Sequence, residues 1–476
     1  MNPHAHPSRN RLHDISDDLY ASARSQWTIT HCGLQPSVAN MDARISSFLS
    51  HVELAPRDPI IGVTEAFNDD RDPNKVNLST GVYCDDTGKV PLLECVQHAV
   101  SDLVREAAPR VYLPIDGLPA YNHAARTFLL GADSPAIREQ RAITIQALGG
   151  TGALKLGADF LRRIVSSARV WVSDPTWENH RALFQAAGFS VAAYRYYDPA
   201  SHGLDFAGLM ESLSAIPAGD IVVLHACCHN PTGVDLTVEQ WTQVIEVVTT
   251  RRLIPFLDIA YQGFGDGVDG DAEPVRRFAQ TVYPCFVANS FSKSLSLYGE
   301  RVGALTVIAS NAQEAQRCWT QLKRVVRTNY SNPPSSGGKI VATILRSAEL
   351  RTLWERELGA MRDRIRAVRE QFVRQLERKL PAVDFSFVLR QRGMFSYSGL
   401  AAETVRELRD RFSIYALDTG RICVAALNSR NIDYVTDAIA QVVGARDATS
   451  IAVPYSSESS LERSGSRVQP RGATHA

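Results

Sequence analysis

The sequence predicts an α/β fold: a mostly parallel sheet covered by helices on both faces, with a smaller α+β lobe beside it. Three observations predict it. Short runs rich in Val and Ile alternate with helix-length segments through the middle of the chain. The loops that follow those runs hold most of the residues capable of chemistry. After Leu353 the pattern changes to that of one long amphipathic helix.

Ala142–Leu148 (AITIQAL) is the first such run, followed by GGTG and a helical pattern over 153–165. Residues 169–172 (RVWV) form a second, with a helical stretch after it to Ala187. Residues 221–227 (IVVLHAC) precede a helix over Val238–Thr250, and Ile254–Ile259 (IPFLDI) and 285–288 (CFVA) are further buried strands. Continuous apolar runs, rather than alternation, are what a strand buried on both faces requires. From Leu353, the residues Leu358, Met361, Ile365, Val368, Phe372 and Leu376 recur at three- to five-residue steps, the mark of a long helix with one apolar face. Then come 384–389, the MFSYSG segment, a helix over 404–411 and a strand over 422–425. We therefore expect a large domain at 91–360 and a small domain built from 41–90 and 361–445. Residues 1–40 and 446–476 are polar, without sustained periodicity, and read as flexible extensions.

Composition limits the function classes. Of 476 residues, 45% are hydrophobic and 21% charged, as in an ordinary globular protein. No run approaches the roughly 18 apolar residues of a membrane helix. Basic and acidic residues balance at 51 each, so nothing electrostatic recruits nucleic acid or an anionic membrane. Eight cysteines without a C-x-x-C pair read as free thiols of a reducing compartment. No apolar secretory signal begins the chain, and Asp14, Asp17 and Asp18 argue against a transit peptide, so cytoplasm is the expected location. Only seven of the basic residues are lysines, a short field in which to find one that forms an imine.

In α/β sheets, ligands sit beyond the carboxyl ends of the strands. Here those ends read Gly149-Gly150-Thr151-Gly152, Asp174-Pro175-Thr176-Trp177, His229-Asn230-Pro231-Thr232-Gly233, Asp258-Ile259-Ala260-Tyr261 and Ser290-Phe291-Ser292-Lys293. Together they offer a phosphate cradle, an aromatic plate, an amide, an acid, a phenol, hydroxyls and a lysine. A flat, phosphorylated, cationic heteroaromatic ring uses all of it. Taken singly, each loop has a plainer reading: GGTG as a tight turn, Asp258 as a helix N-cap, Lys293 as a surface lysine. Asp258 follows an apolar strand, where a carboxylate needs a cationic partner or takes a raised pKa. Lys293, with two serines before it and Arg301 eight residues after, fits a phosphate held beside an imine-forming amine.

The stretch 58–443 closely resembles class I aminotransferases of the aspartate and aromatic amino-acid group. The motifs DPIIGVTEAF, YLPIDGLPAY, GGTGAL, CCHNPTG, DIAYQGFG, SKSLSLYGERVGA, RTNYSNPP and GMFSYSGL stand in the family's order and spacing. The resemblance implies the pyridoxal-phosphate (PLP) transferase fold type I, with a mostly parallel seven-stranded sheet, and an obligate homodimer with shared active sites. Lys293 would carry the cofactor as a Schiff base and move the substrate proton, and Asp258 would pair with the pyridinium nitrogen. Asn230 and Tyr261 would bond the ring oxygen and Trp177 would stack on the ring. Gly150, Thr151, Ser290, Ser292 and Arg301 would hold the phosphate, joined by Tyr112 from the neighbouring subunit. Arg421 would bind the α-carboxylate, beside Gly81, Trp177 and Asn230. Arg327 of the partner would bind the side-chain carboxylate of dicarboxylic substrates. His180 and His225 look like support behind Asp258. No metal is implied.

Substrate choice divides the rim residues. Arg327 and Arg421 fit a dicarboxylate at both ends, and Val82, Thr151 and Asn332 keep the aspartate-like identity. Cys84, Val90 and Val111 replace lysine, threonine and asparagine of the aspartate pattern, which lowers the cost of seating an apolar ring. Both aromatic and dicarboxylic amino acids, with 2-oxoglutarate as acceptor, are the expected substrates. The competing readings are a non-catalytic sensing or regulatory protein on the same fold, and a PLP-dependent lyase.

Overall fold

The computed structural model describes residues 48–54 and 61–445. The two terminal segments expected to be flexible, 1–40 and 446–476, lie outside the described residues, as does the start of the DPIIGVTEAF motif. Phe48–His51 forms a short 3-10 helix on its own; everything below concerns 61–445.

A seven-stranded sheet organises the larger part. Its strands are β1 (Ala142–Leu148), β2 (Val170–Asp174), β3 (Val191–Arg195), β4 (Ile221–His225), β5 (Ile254–Ile259), β6 (Cys285–Ser290) and β7 (Val302–Ile308). In space they run β1-β7-β6-β5-β4-β2-β3. All pairs are parallel except those made by β7, which is antiparallel to both β1 and β6. Successive residues enter opposite cores, as the pleat demands. Ile221 and Val223 pack with Phe256, Phe286 and Leu305 on one face. Val222 and Leu224 pack with Leu257, Val287 and Ala304 on the other. Every residue of β4, β5, β6 and β7 is buried, which is why these strands read as unbroken apolar runs.

The helices that matter to the site are α1 (Gly149–Ile164), α2 (Glu178–Ala186), α3 (Val238–Thr250) and α4 (Ala348–Lys379). Helix α3 opens on a capping box, with Thr237 Oγ1 accepting from Gln240 N–H and Gln240 Oε1 accepting from Thr237 N–H. The 32-residue α4 serves two cores. Leu350, Trp354, Leu358, Met361 and Ile365 belong to the sheet's cluster. Val368, Phe372, Val373 and Leu376 belong to a second cluster with Val76, Leu78, Phe387, Ile422 and residues of the last helix, Ile432–Gly444. In that second region β8 (Phe395–Tyr397) pairs antiparallel with β9 (Arg421–Cys423), setting Tyr397 opposite Arg421.

Several element bounds differ from those the pattern predicts. Helix α1 begins at Gly149, not at Ala153: its first residues are glycines and a threonine, poor helix formers whose helical state is imposed by the strand before them. The run expected to continue as strand to Cys227 leaves the ladder after His225. The strand expected over 422–425 spans Arg421–Cys423 and closes into a 3-10 turn at Val424–Ala426. Ser386–Arg390, within the segment left without an assigned state, forms a 3-10 helix.

Candidate active site

One cavity of about 650 Å³ gathers the loops read from the sequence. Twelve of the fourteen residues assigned to the site line it: Gly81, Gly150, Thr151, Trp177, Asn230, Asp258, Tyr261, Ser290, Ser292, Lys293, Arg301 and Arg421. It lies at the carboxyl edge of the parallel strands. Arg301 joins them because β7 runs the other way: Val302 is level with Leu148 and Gly303 with Ser290, so β7 starts at the edge where the parallel strands end. Tyr112 and Arg327 do not line the cavity. Tyr112 is 91% exposed, and the exposed Arg327 donates to Ser331 Oγ of its own loop.

The start of α1 offers a place for an anion. No side chain caps that helix, which leaves its first N–H groups for an anion. Gly149 has φ +69°, and a Cβ on it would lie 2.7 Å from Arg301 Nη2, so both the turn and the close approach of the guanidinium require glycine. Arg301 in turn donates to Ser292 Oγ at 3.3 Å. An uncapped helix start, two serines and an arginine on one wall fit a phosphate monoester.

Asp258, the penultimate residue of β5, accepts from His180 Nε2 at 3.0 Å through Oδ2. His180 Nδ1 is fixed by Thr176 Oγ1 at 2.8 Å. Burial pushes the Asp258 carboxyl up, but the hydrogen bond from His180 and the facing side chains of His180, His225 and Lys293 outweigh it and hold the group below the ordinary carboxylate range. Of the two outcomes open to a carboxylate there, the carboxyl is lowered rather than raised, with the Lys293 amine among the groups facing it. His225 is level with Asp258 across the β4–β5 ladder and its ring lies 4.9 Å from that of His180. Burial pulls His225 down to about 3, so the ring is neutral. Neither of its nitrogens has a hydrogen-bond partner among the described residues, and it lines the cavity.

Burial pulls the Lys293 amine down to about 8, helped by Arg301 and opposed by Asp258. The amine stands 5.0 Å from the centre of the Tyr261 ring. Across the cavity, Arg421 is 2% exposed. Its Nη1 donates to Asn230 Oδ1 at 3.0 Å and its Nη2 to Ser79 O at 2.7 Å; Phe395 stacks on the guanidinium at 4.3 Å. Nε is buried with no partner among the described residues, so the guanidinium keeps donors for a carboxylate. Gly81 is where it must be for Phe395 to close: a Cβ there would lie 2.7 Å from the ring.

Sequence reasoning missed Tyr298 and Phe395. Both line the cavity, and both stand inside quoted motifs, SKSLSLYGERVGA and GMFSYSGL. The Tyr298 hydroxyl accepts from Tyr83 N–H at 3.0 Å. Glu178, Asn179 and Ala182 of α2 also face the cavity and carried no signal in the loop pattern.

A depressed lysine amine, a buried acid backed by histidine, an anion cradle and a free-donor guanidinium around one cavity define an enzyme that handles amines and carboxylates beside a bound phosphorylated group. The chain belongs to the aminotransferase class I and II family, whose model matches residues 73–439. It is 57% identical to an aspartate aminotransferase of Pseudomonas aeruginosa over 83% of this chain and all of that one. It is 49% identical to an aromatic-amino-acid aminotransferase of Escherichia coli, over 81% of this chain and 98% of that one. The crystal structure of the aromatic-amino-acid aminotransferase of Burkholderia pseudomallei, covalently bound to pyridoxal phosphate, superposes with a TM-score of 0.81. It is 59% identical and the match covers 83% of this chain and 99% of that one.

Proposed function

We propose that this chain is a PLP-dependent transaminase that moves the amino group between an aromatic or dicarboxylic L-amino acid and 2-oxoglutarate. One observation carries the reading: Lys293, Asp258, the start of α1 and Arg421 open on the same cavity. When bound, pyridoxal phosphate supplies a protonated ring that withdraws electrons from the substrate's Cα.

The residues present fit that group. Gly150, Thr151, Ser290, Ser292 and Arg301 would hold its phosphate, Asp258 its ring nitrogen, Asn230 and Tyr261 its ring oxygen, and Trp177 its face. Asp258 stays ionised in the fold and so keeps a proton on whatever basic nitrogen faces it. Lys293, with its pKa lowered, has a substantial neutral fraction near pH 7 to 8 and can take a proton from Cα and return it. Its tether keeps that amine at high effective concentration. Arg421 fixes the substrate through its α-carboxylate, with Asn230 setting the guanidinium's plane.

The substrate class rests on the rim. Val82 lines the cavity and Cys84 is half-buried nearby in the chain, while Val90 and Val111 are exposed in the single chain. The exposure of Tyr112 and Arg327 supports a homodimer in which each completes the neighbour's cavity. The change of core within α4 between Ile365 and Val368 supports a small domain hinged there. Among the described residues no helix is long and apolar enough to cross a membrane; with the unpaired thiols of all described cysteines, this supports the cytoplasm as location.

Borohydride reduction of the purified protein followed by peptide mapping tests the site: the reduced cofactor should be found on the Lys293 peptide, and a label elsewhere defeats the assignment. Rates with phenylalanine, tyrosine, aspartate and glutamate against 2-oxoglutarate test the substrate class. Turnover of aspartate and glutamate alone removes the aromatic half.

A further inference from the structure

The segment whose Phe395 closes the active-site cavity also borders, through residues 389–393, a second cavity of about 550 Å³. Its other walls are α4 and the turn 264–266, so it opens where α4 passes from one core to the other. Arg362, Arg366, Arg369, Arg390 and Arg392 line it, against two carboxylates, Asp266 and Glu370.

Those carboxylates are already engaged. Asp266 is paired with Arg392 and lies 3.8 Å from Arg366, while Glu370 is bonded to Arg374 at 3.3 Å. Arg369 is left without a paired carboxylate among the described residues, and Arg362 and Arg390 have only exposed acids outside the cleft. Arg369 is 4% exposed and ringed by neutral oxygens, donating to Val388 O, Gly393 O, Phe395 O and Ser396 Oγ; among the described residues no carboxylate is within ion-pair distance. Burial pulls it down to about 10. The Nε of Arg362 is buried with no hydrogen-bond partner among the described residues and forms an ion pair at 3.5 Å with the exposed carboxylate of the adjacent Asp363, outside the cleft. Arg390 donates to Ser201 O at 3.4 Å and is also felt electrostatically by Asp384, without an ion pair among the described residues. A buried cation without a paired anion costs stability that an anion would restore, and several guanidiniums around one cleft match the oxygens of a multiply charged anion.

We propose that this cleft binds a compact anion of two or more charges, a phosphate ester or a polycarboxylate, and through it steadies the segment that carries Phe395. The link to the active site is short. Arg392 N–H donates to Gly233 O at 2.6 Å, on the loop that contains Asn230. The Gln391 side chain accepts from Tyr397 N–H at 3.2 Å and donates to Tyr397 O at 3.0 Å, and Tyr397 lies opposite Arg421 on β9. An anion drawn between α4 and this segment therefore bears on the strand beside Arg421. This coupling rests on Arg421 as the carboxylate site; the binding itself does not.

Titration calorimetry of pyrophosphate and of citrate into the cofactor-loaded enzyme, at fixed ionic strength and with 2-oxoglutarate saturating, tests the proposal. We expect one site per chain, weakened at least about tenfold by Arg366→Gln combined with Arg390→Gln, both exposed side chains, and unchanged by Arg378→Gln, which lies outside the cleft. The tighter of the two probes identifies the source as a phosphate ester or a polycarboxylate. No binding, or binding indifferent to the paired substitution, overturns the proposal. An anion that lowers the KM for phenylalanine by about two- to threefold supports the coupling, and an unchanged KM removes it. Because heat of binding needs no turnover, a failed transaminase reading leaves this answer intact.

Discussion

Asp258, on the floor of the cavity, and Asp235, under the loop that follows β4, are two carboxylates drawn largely out of water within the same stretch of sheet. Their charges are governed in opposite ways. Asp235 accepts two backbone N–H groups, from Cys228 at 2.7 Å and His229 at 2.8 Å, yet burial pushes it up to about 6, with the neighbouring Asp271 adding to the rise. Asp258 accepts one hydrogen bond, from His180, and is held low because histidines and a lysine face it. Burial alone therefore says little about the charge of a carboxylate; the signs of the groups around it decide. One arrangement is structural, closing a loop. The other is electrostatic, keeping a negative charge where a cationic ring nitrogen would lie.

The sharpest way to break that contrast is at Lys293, the amine that faces Asp258. Lys293→Ala should reduce transamination by at least about 10³-fold, the scale of a lost proton carrier, measured as steady-state rate with phenylalanine and 2-oxoglutarate. A mild loss would place the proton elsewhere. Next comes the acid itself. Asp258→Asn should lower kcat/KM by about 30- to 150-fold, from the loss of a charged pair worth about 2–3 kcal/mol, while Asp235→Asn should change it less than about threefold. Similar losses from both would erase the difference between floor and loop. Arg327→Ala should cost about 10- to 100-fold in kcat/KM for aspartate and glutamate and little for phenylalanine. Equal losses for the two classes would take Arg327 out of substrate choice.

The smallest effect is on stability against pH. The folded-state pKa of Asp235 lies above its unfolded value of 3.8, so the folded chain holds a proton that the unfolded chain releases. Stability from this group falls as pH rises from about 4 to about 6. Asp258 is depressed, so its contribution is present above 3.8 and is lost only as pH falls below that. Denaturant melts at a series of pH values should show the fall between pH 4 and 6 flattened in Asp235→Asn and kept in Asp258→Asn; the reverse pattern would mean the two have been assigned the wrong neighbours.

Much of this site was legible before any coordinates. The strand-end loops could be read because a buried parallel strand is an unmistakable apolar run, and polar residues just beyond it have one place to go. The helical state of Gly149-Gly150-Thr151-Gly152 could not, because propensity there points away from helix and only the neighbouring sheet enforces it. Tyr298 and Phe395 were invisible for a different reason. Tyr298 holds its place through a hydrogen bond to Tyr83, 215 residues earlier, and Phe395 through stacking on Arg421 and the absence of a side chain at Gly81.

By itself, the sequence determined the fold class, the family and the set of chemical groups, because residue type and order along the strands are one-dimensional information. Tertiary structure alone decided that β7 runs antiparallel and so delivers Arg301 to the wall of the cavity. It also decided which buried acid keeps its charge. Distance between residues remote in sequence sets the field at a carboxylate, and that distance exists only once the chain is folded.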